Sequence, residues 1–469
     1  MGAFMLEHAI ADYHALLEDE GVARATWEAL TEGQRERQLF FGARPLATVM
    51  RPRFLTRQQY ELLQRGVELV VAALQRLGDT LLADVTLRSR IALTPQEEAL
   101  LARDPGYPQH SAHSRMDTFL TLDGASLQFV EYNGESPAAI AYEDVLSELF
   151  SSLPAMQQFA RRYTVTPLPA RHRLLAVLLD AWNQFGGSGS PRIAILDWSG
   201  LPTHSEFVLF QRYFRDHGIE AAICTPDDLA YRDGRLVATR FETADPTAAS
   251  EFPIDLVYKR VLTSELLVRY GDAALDHPLM RAYADGAICM VNSFRAKLLH
   301  KKAIFALLTD DALHDLFTPD ERAAIAAHVP WTRMVRPGST TYQGAPIDLV
   351  AFARAERERL VIKPNDEYGG KGVIIGWETP PDEWDRALGD ALRSPSIVQE
   401  RVTIAYEEYP AMVDGTVQIG RRLVDSDPFV FGGDVHGCLC RLSTVTLLNV
   451  TAGGGSTTPV FLVERGAAP

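Results

Sequence analysis

Lys363 ends the β-branched run Leu360-Val361-Ile362, a polar loop closes with Gly369-Gly370-Lys371-Gly372, and a second run, Val373-Ile374-Ile375, follows. Val and Ile suit a pleated, half-buried surface, so the segment predicts strand, loop, strand. Glycines leave main-chain N–H groups open to an anion, and the two lysines add positive charge. The chemistry on offer is a phosphate cradle. The same residues also describe a glycine-rich hairpin with surface lysines. Two familiar phosphate loops fit poorly. Gly372 follows Lys371 where a Walker loop needs Ser or Thr, and both that loop and the dinucleotide fingerprint open a helix, unlike Val373-Ile374-Ile375. What remains is a hairpin lid over a nucleotide.

A second set of chemistry-bearing residues lies more than two hundred positions earlier. Ser114-Arg115-Met116-Asp117-Thr118-Phe119-Leu120 is followed by the turn signal Asp123-Gly124 and by Leu127-Gln128-Phe129-Val130-Glu131-Tyr132-Asn133. Side chains alternate along a strand, so Arg115 shares a face with Asp117, and Glu131 shares one with Asn133. Carboxylate and amide oxygens on neighbouring strands suit magnesium, which also takes phosphate oxygens. The bland counterpart is a solvated strand face with an Arg–Glu pair.

The elements that must hold these groups are legible at lower detail. Residues 1–90 read as helical, with Thr56 and Gln59 at capping-box spacing before Tyr60, Leu63, Val67, Val70, Leu74 and Leu77, and Gly78 where the helix would end. Ser136-Pro137 predicts another helix start. An amphipathic stretch from Arg171 to Phe185 and a Gly/Ser linker precede an α/β unit: strand 192–196, helix 205–217, strand 220–224, a turn at Asp233-Gly234, and strand 254–260. Open sheets collect ligands at the carboxyl ends of their strands, which singles out Asp197, His204 and Arg260. Lys297, Lys301 and Lys302 fall on a later helix. The strand Ser396–Val402 ends in Gln399, Glu400 and Val402, where main-chain groups could meet an adenine and a carboxylate a ribose. Arg441 and the run Leu447–Gly455, containing Asn449, close the chain with a second glycine-rich loop.

The chain has 469 residues, enough for two or three domains, and a formal net charge of −15, which argues against nucleic acid or a membrane surface as the main partner. Its four cysteines are too few for a disulfide framework, and Cys438-x-Cys440 beside His436 lacks the second ligand pair of a zinc site. No apolar run is long enough to span a membrane, and the N-terminus lacks the basic start of a signal peptide. The expectation is a cytoplasmic protein.

Taken in order, these motifs resemble the circularly permuted ATP-grasp proteins, especially the glutathionylspermidine synthetase-like group. The likeness runs from about Arg51 onward. It is carried by Arg115-x-Asp117, by Glu131-x-Asn133 placed ahead of the lysine motifs, by Lys302 before Ala-Ile-Phe-Ala-Leu-Leu, by Lys363-Pro364, and by the Gly-Gly-Lys-Gly, Val-Gln-Glu and Asn-Val-Thr-Ala-Gly-Gly-Gly segments. The resemblance implies an α/β (α+β) ATP-grasp fold. In it, residues 1–165 hold helices plus the metal hairpin, 166–290 a Rossmann-like pre-ATP-grasp domain, and 291–469 the nucleotide-binding region. It implies ATP and Mg2+ as cofactors, with Asp117, Glu131 and Asn133 as metal ligands and Arg115 at the γ-phosphoryl group. Lys302, Lys363, Gly369, Gly370, Lys371 and Gly372 would contact phosphates, and Gln399, Glu400 and Val402 the adenosine. Apart from the resemblance, their positions at the sheet edge and beside the second glycine-rich loop make His204, Arg260, Arg441 and Asn449 candidate substrate or phosphate contacts. The implied activity joins a small-molecule or peptide carboxylate to an amine through an acyl phosphate. A nucleotide-binding module acting through a partner protein and a phosphotransferase are the alternatives. The sequence carries no amidase segment with a nucleophilic cysteine and no match to glutathione or spermidine contacts, so neither substrate carries over.

Overall fold

In the computed structural model, residues 2–243, 250–446 and 455–466 are described. The fold is mixed α/β, and strands from both ends of the sequence meet in its largest sheet. The hairpin His113–Leu120/Leu127–Asn133 pairs through its first strand with Asp427–Phe431, which pairs with Asp434–Ser443. That strand in turn pairs with Gly455–Arg465. Gly455–Arg465 also runs parallel to Arg53–Leu55 and antiparallel to Tyr163–Pro167. The long helix Arg57–Ala83 covers one face, burying Leu63, Val67, Val70, Leu74, Leu77 and Leu81 against Phe129, Val430 and Val460. Its apolar residues recur every three to four positions, as a half-buried helix requires. The Thr56–Gln59 capping box is formed in both directions.

Two expectations about helix ends fail for local reasons. Gly78 does not end its helix, which continues to Ala83. A Cβ there would fall 2.4 Å from the His110 ring, so the glycine serves close packing and not a cap. Ser136-Pro137 likewise lies in a loop, and the helix begins at Ile140 after Ala139 in a left-handed conformation. The Ser136 hydroxyl donates to the Arg260 carbonyl across the fold and not to a helix turn.

The α/β unit is a four-stranded parallel sheet in the order Cys289–Val291, Leu256–Lys259, Ile193–Leu196, Ala221–Cys224. All four strands are buried, so their near-continuous apolar runs follow from cover on both faces. Asn292, just past one edge strand, joins this sheet to the hairpin. Its Oδ1 accepts from the Ala112 and His113 amides at 2.7 and 3.2 Å. Its Nδ2 donates to the carbonyls of His113, Gly134 and Glu135 at 2.7, 3.1 and 3.1 Å.

A third sheet is antiparallel, in the order Thr332–Met334, Ser396–Glu400, Leu360–Pro364, Ile374–Ile375. Trp384 and Leu388 of the helix Pro381–Ala391 pack beneath it with Leu360, Ile362 and Val398. The expected strand–loop–strand around Lys363 forms one end of this sheet, with Ile374–Ile375 as its edge strand. Among the described residues no helix is long and apolar enough to cross a membrane.

Candidate functional site

The hairpin supplies one wall of a cleft. Its register sets Arg115 opposite Asn133 and Asp117 opposite Glu131, so all four side chains emerge on one face. Just beyond, pairing jumps from Asp117–Glu131 to Thr118–Phe129, leaving Val130 without a partner in the hairpin. Such a bulge turns main-chain groups out of the ladder. The Val130 carbonyl accepts from Lys363 Nζ at 3.1 Å, which ties the hairpin to the third sheet.

Charge is dense here. Asp117 Oδ1 accepts from Arg115 Nε and Asn133 Nδ2, both at 2.8 Å, and Oδ2 accepts from Arg115 Nη2 at 3.2 Å and Arg441 Nη2 at 2.7 Å. Burial alone would raise this carboxyl; the two guanidinium groups outweigh it and hold Asp117 at about 2. Glu131 pairs with Lys302 Nζ at 2.7 Å and is held below the usual range, because Lys302 and Lys363 overcome its burial. Lys363 Nζ also donates to Gln399 Oε1 at 2.7 Å. Burial pushes its ammonium down to about 8, with Lys302 adding to the effect and Glu131 opposing it.

Lys302 and its neighbour are sorted by the backbone. They sit at the junction of two short helices, Lys297–His300 and Ala303–Leu308, and not along one helix face as expected. Lys302 enters the cleft, while Lys301 turns away to Glu97 at 2.8 Å and Asp366 at 3.4 Å.

The loop between Pro364 and Ile374 closes the cleft. Gly369, Gly370 and Gly372 all have φ between 61° and 74°, which a side chain would strain. Asn365 anchors the loop's base, accepting from the Lys302 and Ala303 amides at 2.9 and 2.8 Å. Near the tip, Tyr368 donates to Glu265 Oε1 at 3.0 Å, and Trp198 Nε1 donates to Glu265 Oε2 at 3.1 Å. Lys371 lies over the Tyr368 ring at 4.4 Å.

At the far end, Val361, Ile375, Trp377, Val402 and Ile404 form an apolar slot beside the strand end Gln399-Glu400-Arg401. Arg401 stacks on Trp377 at 4.2 Å, and Glu400 accepts from the Tyr342 hydroxyl at 2.7 Å. One end of the cleft therefore suits a planar apolar ring, and the other, where Arg115, Lys302, Lys363, Lys371 and Arg441 gather in a chain of net charge −15, suits anions. Its volume is about 190 Å³.

Of the residues singled out from the sequence, the cleft gathers Arg115, Asp117, Glu131, Asn133, Lys302, Lys363, Gly369, Gly370, Lys371, Gln399, Glu400, Val402 and Arg441. Gly372 sits just behind, against Pro364. His204 and Arg260 lie elsewhere. His204 pairs with Glu242 at 3.2 Å near the surface, and Arg260 is buried, donating to the Pro137 carbonyl and facing Glu206. Asn449 is outside the described residues. Sequence reasoning missed Asp425, Asp427, Glu367, Trp377 and Arg401. For the two aspartates the available signal was Asp425-Ser426-Asp427, two carboxylates at strand spacing ahead of the apolar run Phe429–Phe431.

The oxygen donors of Asp117, Glu131 and Asn133 fit a hard cation that completes its shell with phosphate and water. Among the described residues no group of three or more His, Cys, Asp or Glu side chains is placed to hold a metal ion.

No family model matches the chain. Two curated relatives are provisionally named glutamate–cysteine ligases. Ligase 2-3 of Frankia alni is 24% identical over 283 residues, 57% of this chain and 29% of its own length. Ligase 2-2 of Frankia casuarinae is 25% identical over 338 residues, 70% of this chain and 36% of its own. The chain thus spans about a third of the length of these relatives. Among solved structures, a glutathione synthetase-like effector from Globodera pallida, in its apo form, superimposes with a TM-score of 0.56 at 12% identity, over 94% of this chain and 96% of that one. The chain therefore shares the mixed α/β fold of a glutathione synthetase-like protein.

Proposed function

We propose that the chain is a circularly permuted ATP-grasp ligase that couples ATP hydrolysis to amide formation between a carboxylate and an amine. One observation carries the reading: Lys302 and Lys363 on one side, and Asp117, Glu131 and Asn133 on the other, converge on a single cleft beneath a glycine loop. The ligase names of the Frankia relatives point the same way.

The apolar slot would take adenine, and Glu400, already fixed by Tyr342 and Arg359, a ribose hydroxyl. Lys302 and Lys363 would hold the phosphates, with Lys371 and the loop amides closing from above. Asp117, Glu131 and Asn133 would hold Mg2+, which when bound neutralises charge on the phosphate oxygens. Arg115 and Arg441 would stabilise the negative charge that grows as a substrate carboxylate oxygen attacks the γ-phosphorus and ADP leaves. An amine nitrogen then attacks the acyl phosphate, inorganic phosphate departs, and the amine proton goes to solvent or a nearby carboxylate. The loop shields the acyl phosphate from water, which would otherwise hydrolyse it.

The test is ADP release with pooled acids and amines, alongside Glu131→Gln and Lys363→Ala. ADP formation that needs both an acid and an amine, lost about a hundredfold or more in either variant, is the expected result. Tight nucleotide binding with no ADP from any pool would assign a binding module instead, and a stable phosphorylated product a phosphotransferase.

A further inference from the structure

Two buried carboxylates that no part of the proposed chemistry uses lie against the cation ligands. Asp425 and Asp427 flank Arg441 and fix it from several directions. Asp425 Oδ1 accepts from the Arg441 amide and Oδ2 from its Nε, both at 2.6 Å, and the Asp425 amide donates to the Arg441 carbonyl at 3.2 Å. Asp427 Oδ2 lies 2.8 Å from Arg441 Nη2, while its Oδ1 accepts from the Thr118 amide at 2.9 Å. The same Nη2 reaches Asp117 at 2.7 Å. Arg441 is thus shared between a carboxylate meant for a cation and two that are not.

Asp117 has no spare acceptor position. Four donors surround its two oxygens, two from Arg115 and one each from Asn133 and Arg441, and a carboxylate offers about four lone-pair sites. A cation can reach it only if a donor withdraws. Arg441 can do so at least cost, because Asp425 and Asp427 still satisfy its charge after it lets go, which removes the penalty of an unpaired buried guanidinium.

We propose that Asp425 and Asp427 are positioning residues that hold Arg441 ready to release Asp117 to a divalent cation, so that Arg441 competes with the cation and the aspartate pair relieves that competition. This rests on the cation reading of Asp117, Glu131 and Asn133.

Mn2+ affinity tests it, measured by electron paramagnetic resonance of the free ion, with and without a non-hydrolysable ATP analogue. R441Q removes the competitor, and Mn2+ binds about fivefold or more tighter without nucleotide. D425N leaves Arg441 shared between Asp117 and Asp427 only, which tightens its hold on Asp117, and Mn2+ binds about fivefold or more weaker. Because Asp425 acts through Arg441, D425N made in the R441Q background shifts affinity by less than about twofold. An undiminished loss in that background makes Asp425 a direct ligand and overturns the proposal, as does weaker binding in R441Q. Near-UV circular dichroism confirms each fold, and D427N carries the same expectation as D425N should the latter not fold. Failure of the wild type to bind Mn2+ under either condition sinks the cation reading itself. Mn2+ binding with any other pattern among the variants overturns the Arg441 assignment alone.

Discussion

Lys363 gives the cleft a pH response whose size follows from its surroundings. Its ammonium is buried, and its neighbours are the Gln399 amide, the Val130 carbonyl, Lys302, and the carboxylates of Glu131 and Asp117, both held below the usual range. The carboxylates therefore stay ionised throughout neutral and alkaline pH, while Lys363 loses its proton around pH 8. A group with that pKa is roughly 90% charged at pH 7 and roughly 10% at pH 9. If only the charged form holds phosphate, apparent affinity falls in proportion, by about tenfold or about 1.4 kcal/mol. Calorimetric titration with Mg2+ and a non-hydrolysable ATP analogue at pH 7, 8 and 9 reads this directly, with proton uptake on binding above pH 8. Lys363→Arg keeps its charge over the whole range and flattens the profile. A flat wild-type profile, or the same slope in Lys363→Arg, refutes the assignment of Lys363 to phosphate.

Three further outcomes follow. Lys302→Met abolishes nucleotide binding, whereas Lys301→Met, which loses its ion pairs to Glu97 and Asp366 and its hydrogen bond to the Ala92 carbonyl, lowers the denaturation midpoint and leaves binding within about threefold; titration and thermal melts on both variants check it. Asn292→Asp replaces an amide donor with a carboxylate facing the carbonyls of His113, Gly134 and Glu135, for a loss of about 3 kcal/mol in urea unfolding. Gly376→Ala places a Cβ 1.9 Å from the Arg357 carbonyl oxygen and 2.6 Å from that of Leu360, backbone atoms with little room to give, and costs about 2 kcal/mol by the same measurement.

The parts of the cleft that sequence could reveal are those in which one local pattern carries both the element and the chemistry. The Asp123-Gly124 turn and the alternation around it predict a hairpin, and that period places Arg115 with Asp117 and Glu131 with Asn133. The β-branched runs around Lys363 work likewise. Asp425 and Asp427 could not be found this way, because they meet Asp117 only through pairing of Asp427–Phe431 with a strand some three hundred residues earlier. Arg260 shows the opposite difficulty. Its place after a parallel strand suggests a ligand edge, but the guanidinium turns inward to the Pro137 carbonyl and Glu206, partners in other parts of the chain. Local spacing also says nothing about Gly78, whose purpose is the His110 ring against it.

The contact between Tyr368 and Glu265 bears on timing. A space of about 190 Å³ is smaller than the ~300–1,000 Å³ of ordinary ligand pockets, so on the proposed reading the glycine loop would lift to admit a nucleotide. Lifting it takes the Tyr368 phenol from a carboxylate that also holds the Trp198 indole, on the parallel-sheet side of the molecule. If the cleft takes a nucleotide as proposed, the time it stays bound would depend in part on this hydrogen bond at the loop tip. Trp198, bonded to the same carboxylate, would register each departure of Tyr368 from Glu265 as a change in its own fluorescence.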